Sequence, residues 1–304
     1  MQSLKQRFGP DGVHIFNPRT GLNLLLDEIL VPRAKWAIAP RHVSIALTNL
    51  CDLHCAYCYA PKHRAQLNVD LLTNWLWELD AADCMGVGFG GGEPTLHPGF
   101  VDICRYASEK TGLAVSFTTH GNRLDDSTLE RLAGNVHFVR FSMDGYGSTY
   151  ETLRGRSFPG LLSRMKATRK IAPIGINVVV NHSTIHDLHK IASVAHEIGA
   201  TEILLLPEQP IQGSSGIDSK TDADLKAWVM GYTGPVPLRV SEAGAKDLPT
   251  CDPMPQEKGL KAYAHIDADG MLKRNSYRNS GVKIGSSGVL KALTELHCMN
   301  EDSL

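Results

Sequence analysis

Apolar and polar positions along the chain follow two alternating rhythms. Compact apolar runs of strand length fall at residues 42–48, 85–90, 113–118, 137–144, 175–181 and 202–206. Between them the apolar residues take helical spacing. Leu72, Trp75, Leu76 and Leu79 lie on one helical face, the stripe of a helix packed on a core. Further helices are predicted over about 98–110 and 160–171, with a short one opened by the capping residues Asp126 and Ser127. Leu188, Ile191, Ala192 and Ala195 mark another, capped by Ser183 or Thr184 and stopped by Gly199, and a delayed helix covers about 222–230.

Continuous apolar strands alternating with amphipathic helices predict a parallel sheet covered on its outer side. Six units are too few to close an eight-fold barrel. The expected fold is therefore α/β, a partial (β/α)6 TIM-like barrel over residues 41–231. In such folds the chemistry gathers at the C-terminal strand ends. Residues 1–40 read as a short N-terminal accessory segment. Within it, 13–16 is a strand, 17–21 a turn, and 23–30 either a strand or a short helix. Residues 232–304 read as a small α+β C-terminal cap: proline-broken connections, a β-hairpin over 263–273 turning at Asp269-Gly270, and a closing helix over about 287–297.

Composition adds exclusions. A net charge of −1 over 304 residues supplies no basic field for nucleic acid. No apolar run reaches membrane-spanning length, and residues 1–7 lack the apolar core of a signal peptide, so a cytoplasmic protein is expected. Seven cysteines, an odd number with three of them inside eight residues, suit metal or redox chemistry better than a disulfide framework.

Those three stand in Cys51-Asp52-Leu53-His54-Cys55-Ala56-Tyr57-Cys58, directly after the first barrel strand. Gly91-Gly92-Glu93-Pro94 follows the second strand, and polar strings containing His120, Asp144 and Asn181 follow later ones. Three thiolates on one loop can hold three irons of a cubane [4Fe–4S] cluster, leaving the fourth iron open to a chelating ligand. A structural zinc ion would want four ligands, usually two cysteine pairs, and the nearest spare thiol, Cys84, falls at the opposite strand end. Cys84 and Cys104 read most simply as buried, inert thiols.

A C-x3-C-x-aromatic-C loop after the first strand, with Gly-Gly-Glu-Pro after the second, resembles the radical S-adenosylmethionine (SAM) superfamily over about residues 42–210. The resemblance implies two cofactors, one [4Fe–4S] cluster held by Cys51, Cys55 and Cys58, and SAM on its open iron. It places Tyr57 beside the adenine, Gly91 and Gly92 against the methionine moiety, and Glu93 on its ammonium. Ser142 and Asp144 fall near the ribose or the substrate, Arg154 at the SAM carboxylate, Asn181 near ribose or adenine, and Pro207 against adenine. Thr118, Thr119 and His120 would line the SAM pocket or the substrate wall. For Ser142, Asn181 and His120 the plainer alternative is a strand-end group satisfying backbone. Arg154 could equally join Arg156, Arg164, Lys166 and Arg169 on a solvated basic face.

The implied activity is that of an oxidoreductase-type radical enzyme. The reduced cluster cleaves SAM, and a 5′-deoxyadenosyl radical abstracts hydrogen from a small-molecule or peptide substrate. An external donor such as flavodoxin or ferredoxin supplies the electron. The competing reading is an Fe–S and SAM-binding protein with an electron-transfer or regulatory role and no turnover. Many members carry auxiliary clusters in a C-terminal extension, the SPASM or twitch type. Here the run Lys273-Arg274-Asn275-Ser276-Tyr277 lacks the cysteine, so a degenerate extension without a second cluster is expected.

Overall fold

The computed structural model describes residues 4–211, 214–241 and 244–299. Residues 1–3 and 300–304, at the ends of the expected accessory segment and cap, lie outside the described residues.

Six of the strands stand where the apolar runs predict them: β4 (His42–Thr48), β5 (Gly86–Gly91), β6 (Ala114–Thr119), β7 (Phe138–Ser142), β8 (Ile174–Val180) and β9 (Ile203–Pro207). They lie side by side in chain order, all parallel. The connecting helices are α1 (Val69–Ala81), α2 (Phe100–Lys110), α3 (Asp126–Leu132), α4 (Ser148–Arg154), α5 (Phe158–Thr168), α6 (Leu188–Glu197) and α7 (Ser219–Met230). Val43, Ile45, Val87, Phe89, Val115, Phe117, Val139, Phe141, Ile176 and Val178 are buried against Leu72, Leu76, Ile103, Leu132, Leu161 and Leu188 of these helices. Each such side chain contributes about 1.5–3 kcal/mol on burial, so this outer face fixes the register of every strand. The opposite face alternates to half-exposed residues, as the burial patterns of β6, β7 and β9 show.

The caps differ in detail from expectation. Asp125, one residue earlier than Asp126, caps α3 by accepting from the Thr128 amide. The cap expected of Ser183 or Thr184 does not form: Thr184 Oγ1 donates back to the Val179 carbonyl, the segment begins as an uncapped 3-10 turn over Ile185–Asp187, and α6 starts only at Leu188. Helix α4 was not legible. It buries only Tyr150, and glycines at positive φ stand at both ends, so no apolar stripe announces it.

The two ends of the chain extend this scheme. Strands β1 (Lys5–Gly9), β2 (Gly12–Phe16) and β3 (Asn23–Leu26) form a separate antiparallel sheet, which settles 23–26 as a strand. Strand β1 escaped the sequence because its anchor is polar. Arg7, 2% exposed, bonds Glu257 (Nε at 2.8 Å) and the carbonyls of Ala39, Asp83 and Lys261. The expected hairpin is β11 (Tyr263–Ile266) with β12 (Met271–Lys273), and the closing helix is α8 (Val289–Cys298). These elements do not stand apart as a cap. β11 pairs parallel with β4, and β12 with a short β13 (Val282–Lys283) continues the same sheet. At the other edge β10 (Leu238–Val240) adds to β9. Ten strands thus share one sheet, because Ala264 and Ile266 continue the buried outer face of β4.

Candidate active site

The 20-residue connection from β4 to α1 carries the three clustered thiols at the C-terminal strand end. Its base is fixed by the Asn49 amide on the Ala65 carbonyl (3.0 Å) and the Leu67 amide on the Leu47 carbonyl (2.9 Å). Cys51, Cys55 and Cys58 are free and partly exposed, and the Cys58 amide donates to the Cys55 carbonyl at 3.2 Å. Among the described residues the one trio of potential ligand atoms within 4.8 Å of one another is Cys51, Asp52 and His120. At least one pair among the three sulfurs therefore lies more than 4.8 Å apart. Cys84 and Cys104 are fully buried in the core, as expected of inert thiols, and burial pushes the Cys84 thiol up to about 11.

The Gly-Gly-Glu string packs on the root of the cysteine loop. Gly91 has φ +127°, and a Cβ there would strike the Thr48 carbonyl; one at Gly92 would strike the carbonyl of Leu50. Both glycines let β5 and the loop approach closely, with the Gly92 and Glu93 amides donating to Thr48 and Leu50 at 2.7 Å. Glu93 is 1% exposed. Its Oε1 accepts from Thr95 Oγ1 (2.6 Å), the Thr95 amide (3.3 Å) and Thr119 Oγ1 (2.8 Å), and its Oε2 from the His120 amide (3.0 Å). The His120 ring then reaches across to Asp52 Oδ1 at 2.7 Å. Because His120 Nδ1 accepts from the Asn122 amide, the proton of the neutral ring sits on Nε2 and points at Asp52. Arg156 and Arg123 close on the same carboxylate at 3.3 and 3.6 Å. An open cavity of about 600 Å³ begins there, lined by Asp52, Asn122, Arg123, Asp125 and Arg156.

A second network joins the loop to β7 and α4. Asp144, 1% exposed, accepts from Tyr57 Oη (2.7 Å), from Arg154 and from the Val179 amide (2.7 Å). Arg154 also points Nη1 at Cys55 Sγ (3.6 Å), and its guanidinium lies 5.8 Å from the Tyr57 ring centre. With a side chain 13% exposed it belongs to this buried group rather than to a solvated basic face. Burial opposes its charge, yet Asp144, Tyr57 and Cys55 hold the guanidinium protonated above its usual range. Burial and then Asp144 push the Tyr57 phenol far up. Arg154 Nε and the Tyr150 hydroxyl are buried with no protein partner.

The remaining expected positions divide. Ser142 is half-exposed at the end of β7, Thr118 is half-exposed on the inner face, and Pro207 ends β9 in a buried position. Asn181 is occupied locally: its Oδ1 accepts from the Ser183 and Thr184 amides and its Nδ2 donates to Glu208 at 2.8 Å.

The sequence profile of the radical SAM superfamily matches residues 45–194. This barrel belongs to the radical SAM superfamily. The AdoMet-dependent heme synthase of Methanosarcina barkeri (strain Fusaro / DSM 804) is 29% identical over 171 residues, covering 53% of this chain and 49% of that protein. The PqqA peptide cyclase of Granulibacter bethesdensis is 30% identical over 173 residues, covering 53% and 46%. The chain thus spans about half the length of the curated relatives it matches. Among solved structures, Streptococcus suis SuiB bound to precursor peptide SuiA superposes with TM-score 0.73 at 12% identity, covering 96% of this chain and 87% of that one, a likeness of fold.

The superfamily's cofactors are a [4Fe–4S] cluster and SAM, and the radical SAM residues present here fit both. Three free thiols on one loop at C-x3-C-x2-C spacing suit a cubane. The unpartnered Arg154 Nε and Tyr150 hydroxyl beside that loop suit a polar ligand.

Sequence reasoning passed over several residues of this region. Asp52 had no signal beyond its place in the loop. Ser44, Tyr263 and His265 did carry one: polar residues at every second position of otherwise apolar strand runs, the mark of an inner face.

Proposed function

We propose that this protein is a radical SAM enzyme that modifies a peptide substrate. The observation that carries the reading is the buried Tyr57–Asp144–Arg154 network, which grips the middle of the cysteine loop from the strand ends opposite it. Cys51, Cys55 and Cys58 would hold the [4Fe–4S] cluster. Tyr57, Gly91, Gly92, Ser142, Asp144, Arg154, Asn181 and Pro207 would hold SAM. When bound, the pair supplies a reductively generated 5′-deoxyadenosyl radical that takes a hydrogen atom from the substrate.

The chain's own part is binding, orientation and exclusion of water. Arg154 presents a fixed positive charge for a carboxylate, and its unpartnered Nε adds a donor. Glu93 is held by Thr95, Thr119 and the His120 amide, so it orders the strand ends, and its Oε2, which accepts only that amide, leaves acceptor capacity and charge for an ammonium. The His120–Asp52 bond fixes the residue next to Cys51.

A peptide substrate is supported by the relatives named a peptide cyclase and by the structure bound to a precursor peptide. A one-electron donor of the flavodoxin or ferredoxin class would feed the cluster. Seven free cysteines suit a reducing compartment, which supports a cytoplasmic location. Among the described residues, no helix is long and apolar enough to cross a membrane.

The test is anaerobic reconstitution followed by reduction with dithionite in the presence of SAM. The wild-type protein forms 5′-deoxyadenosine, and Cys55→Ala loses both iron and product. Iron bound without any 5′-deoxyadenosine would instead establish an Fe–S protein without turnover.

A further inference from the structure

The cavity beside Asp52 opens onto a surface whose charge departs from that of the chain as a whole. The net charge is −1, yet residues 152–186 hold six Lys or Arg and no Asp or Glu. Arg156 stands at the cavity mouth. Lys166 and Lys170 are exposed on the side of α5 that faces away from its buried Leu161, Met165 and Thr168. Ser157 and Gly160, at the start of the same helix, line the cavity together with Arg123 and Asp125. The acidic groups nearby do not cancel this charge. Asp52 is shared by two guanidiniums, those of Arg123 and Arg156. Asp125 is turned to the Thr128 amide at 2.8 Å, and Asp126 meets Arg164 at 3.3 Å.

The same mouth is a short way to the cysteine loop. Cys51 Sγ, an Asp52 carboxylate oxygen and a His120 ring nitrogen lie within 4.8 Å of one another. Arg156 Nη2 donates to the Asp52 carbonyl at 3.1 Å and to its Oδ2 at 3.3 Å. One residue therefore separates a partly exposed guanidinium from the Cys51 sulfur, a span across which electrons tunnel readily. We propose, on the radical SAM reading above, that this basic face is the docking surface of an acidic one-electron carrier protein, seated over Arg123, Arg156 and the exposed side of α5. The carrier gives up one electron, the cluster held by Cys51 takes it, and no atom changes hands. The positive face steers the carrier in and orients it, so the encounter is fast and weakens with salt.

The face suits a carrier protein better than other anions. It is not a pocket for a small anion, because the first amides of α5 are taken: Phe158 donates to Glu151 at 2.9 Å and Gly160 to Ser157 Oγ at 3.2 Å. No aromatic side chain lines the cavity, so there is no platform on which nucleic-acid bases would stack. None of the exposed large apolar side chains falls in 152–186, so nothing there enters a lipid layer. Charge without apolar anchors fits the brief, small-area contact that electron-transfer partners make.

The experiment first mixes cluster-free protein with oxidised flavodoxin, an acidic carrier, and follows binding by titration calorimetry from low to high salt. The wild type binds, and its affinity falls as salt rises. Reversing two charges, Lys166→Glu with Lys170→Glu, weakens binding about tenfold or more. Lys291→Glu, on the exposed side of α8, leaves it unchanged. In protein with a reconstituted cluster, stopped-flow reduction by flavodoxin hydroquinone slows by a similar factor in the double variant, while reduction by dithionite, which needs no docking, keeps its rate. Equal binding by the double variant and the wild type overturns the proposal, as does a wild type that binds neither flavodoxin nor a plant-type ferredoxin. Binding of anionic vesicles or single-stranded RNA in place of the carriers, with the same loss in the double variant, overturns it in favour of that occupant. Wild-type protein that binds flavodoxin and is reduced by it, yet forms no 5′-deoxyadenosine from SAM, overturns the radical reading and leaves the docking surface standing.

Discussion

Glu93→Gln separates two roles for the same carboxylate. If Glu93 served only a bound ligand, the cluster-free, SAM-free protein would not notice the change. In the structure both oxygens are already taken by Thr95, Thr119 and the His120 amide, in a position 1% exposed. Glutamine keeps one acceptor oxygen and turns an NH2 toward a donor. If Oε1 keeps the two threonines, the His120 amide is left buried without an acceptor, at about 1–3 kcal/mol. The surviving bonds also lose their charge assistance, roughly another 1 kcal/mol together. The expected loss is about 2–4 kcal/mol, read as a lower urea midpoint at unchanged slope in cluster-free protein. Thr119→Val, which removes one donor, should cost about 1 kcal/mol in the same assay. A Glu93→Gln midpoint indistinguishable from wild type would refute the keystone role.

Two further outcomes follow from buried charge. Asp144→Ala and Arg154→Met should each cost about 3 kcal/mol, and the double variant clearly less than their sum, because each single change strands a buried partner; additive losses in urea unfolding would show the pair to be uncoupled. Burial, joined by Arg140 at His42 and by Lys273 at His265, holds both imidazoles down to about 4, against roughly 6.5 in an unfolded chain. Between those values the unfolded chain binds more protons, so the stability these groups confer is full above pH 6.5 and lost as pH falls toward 4. Urea midpoints measured from pH 7 to 5 should fall less steeply in the His42→Gln, His265→Gln double variant, and an unchanged slope would contradict the assignment.

The barrel was legible because its strands are buried on the helix side and its helices carry one apolar stripe. Those are the two periods a sequence displays directly. The cysteine loop and the Gly91-Gly92-Glu93 string were legible because each packs several constrained residue types into a few positions. What escaped was held by pairs distant in sequence. Strand β1 depends on Arg7 meeting Glu257, and β10 is three residues long. The accessory role of Asp52 exists only because His120 stands above it. The cap was expected apart from the barrel since proline-broken connections interrupt the pattern. They lead back instead to the open flank of β4, where Ala264 and Ile266 find an apolar surface already built.

That return has a kinetic side. β4 launches the cysteine loop, and its second neighbour arrives 221 residues later, when His265 reaches Ser44. Until then β4 is a bare parallel edge of a sheet otherwise able to form, the kind of edge that recruits other chains. Long-range closure of this sort is slow. The strand that launches the cysteine loop thus becomes an interior strand only after β11 has been synthesised. Metal delivered to the loop earlier meets a half-supported site, so cluster insertion and completion of the sheet are coupled in time.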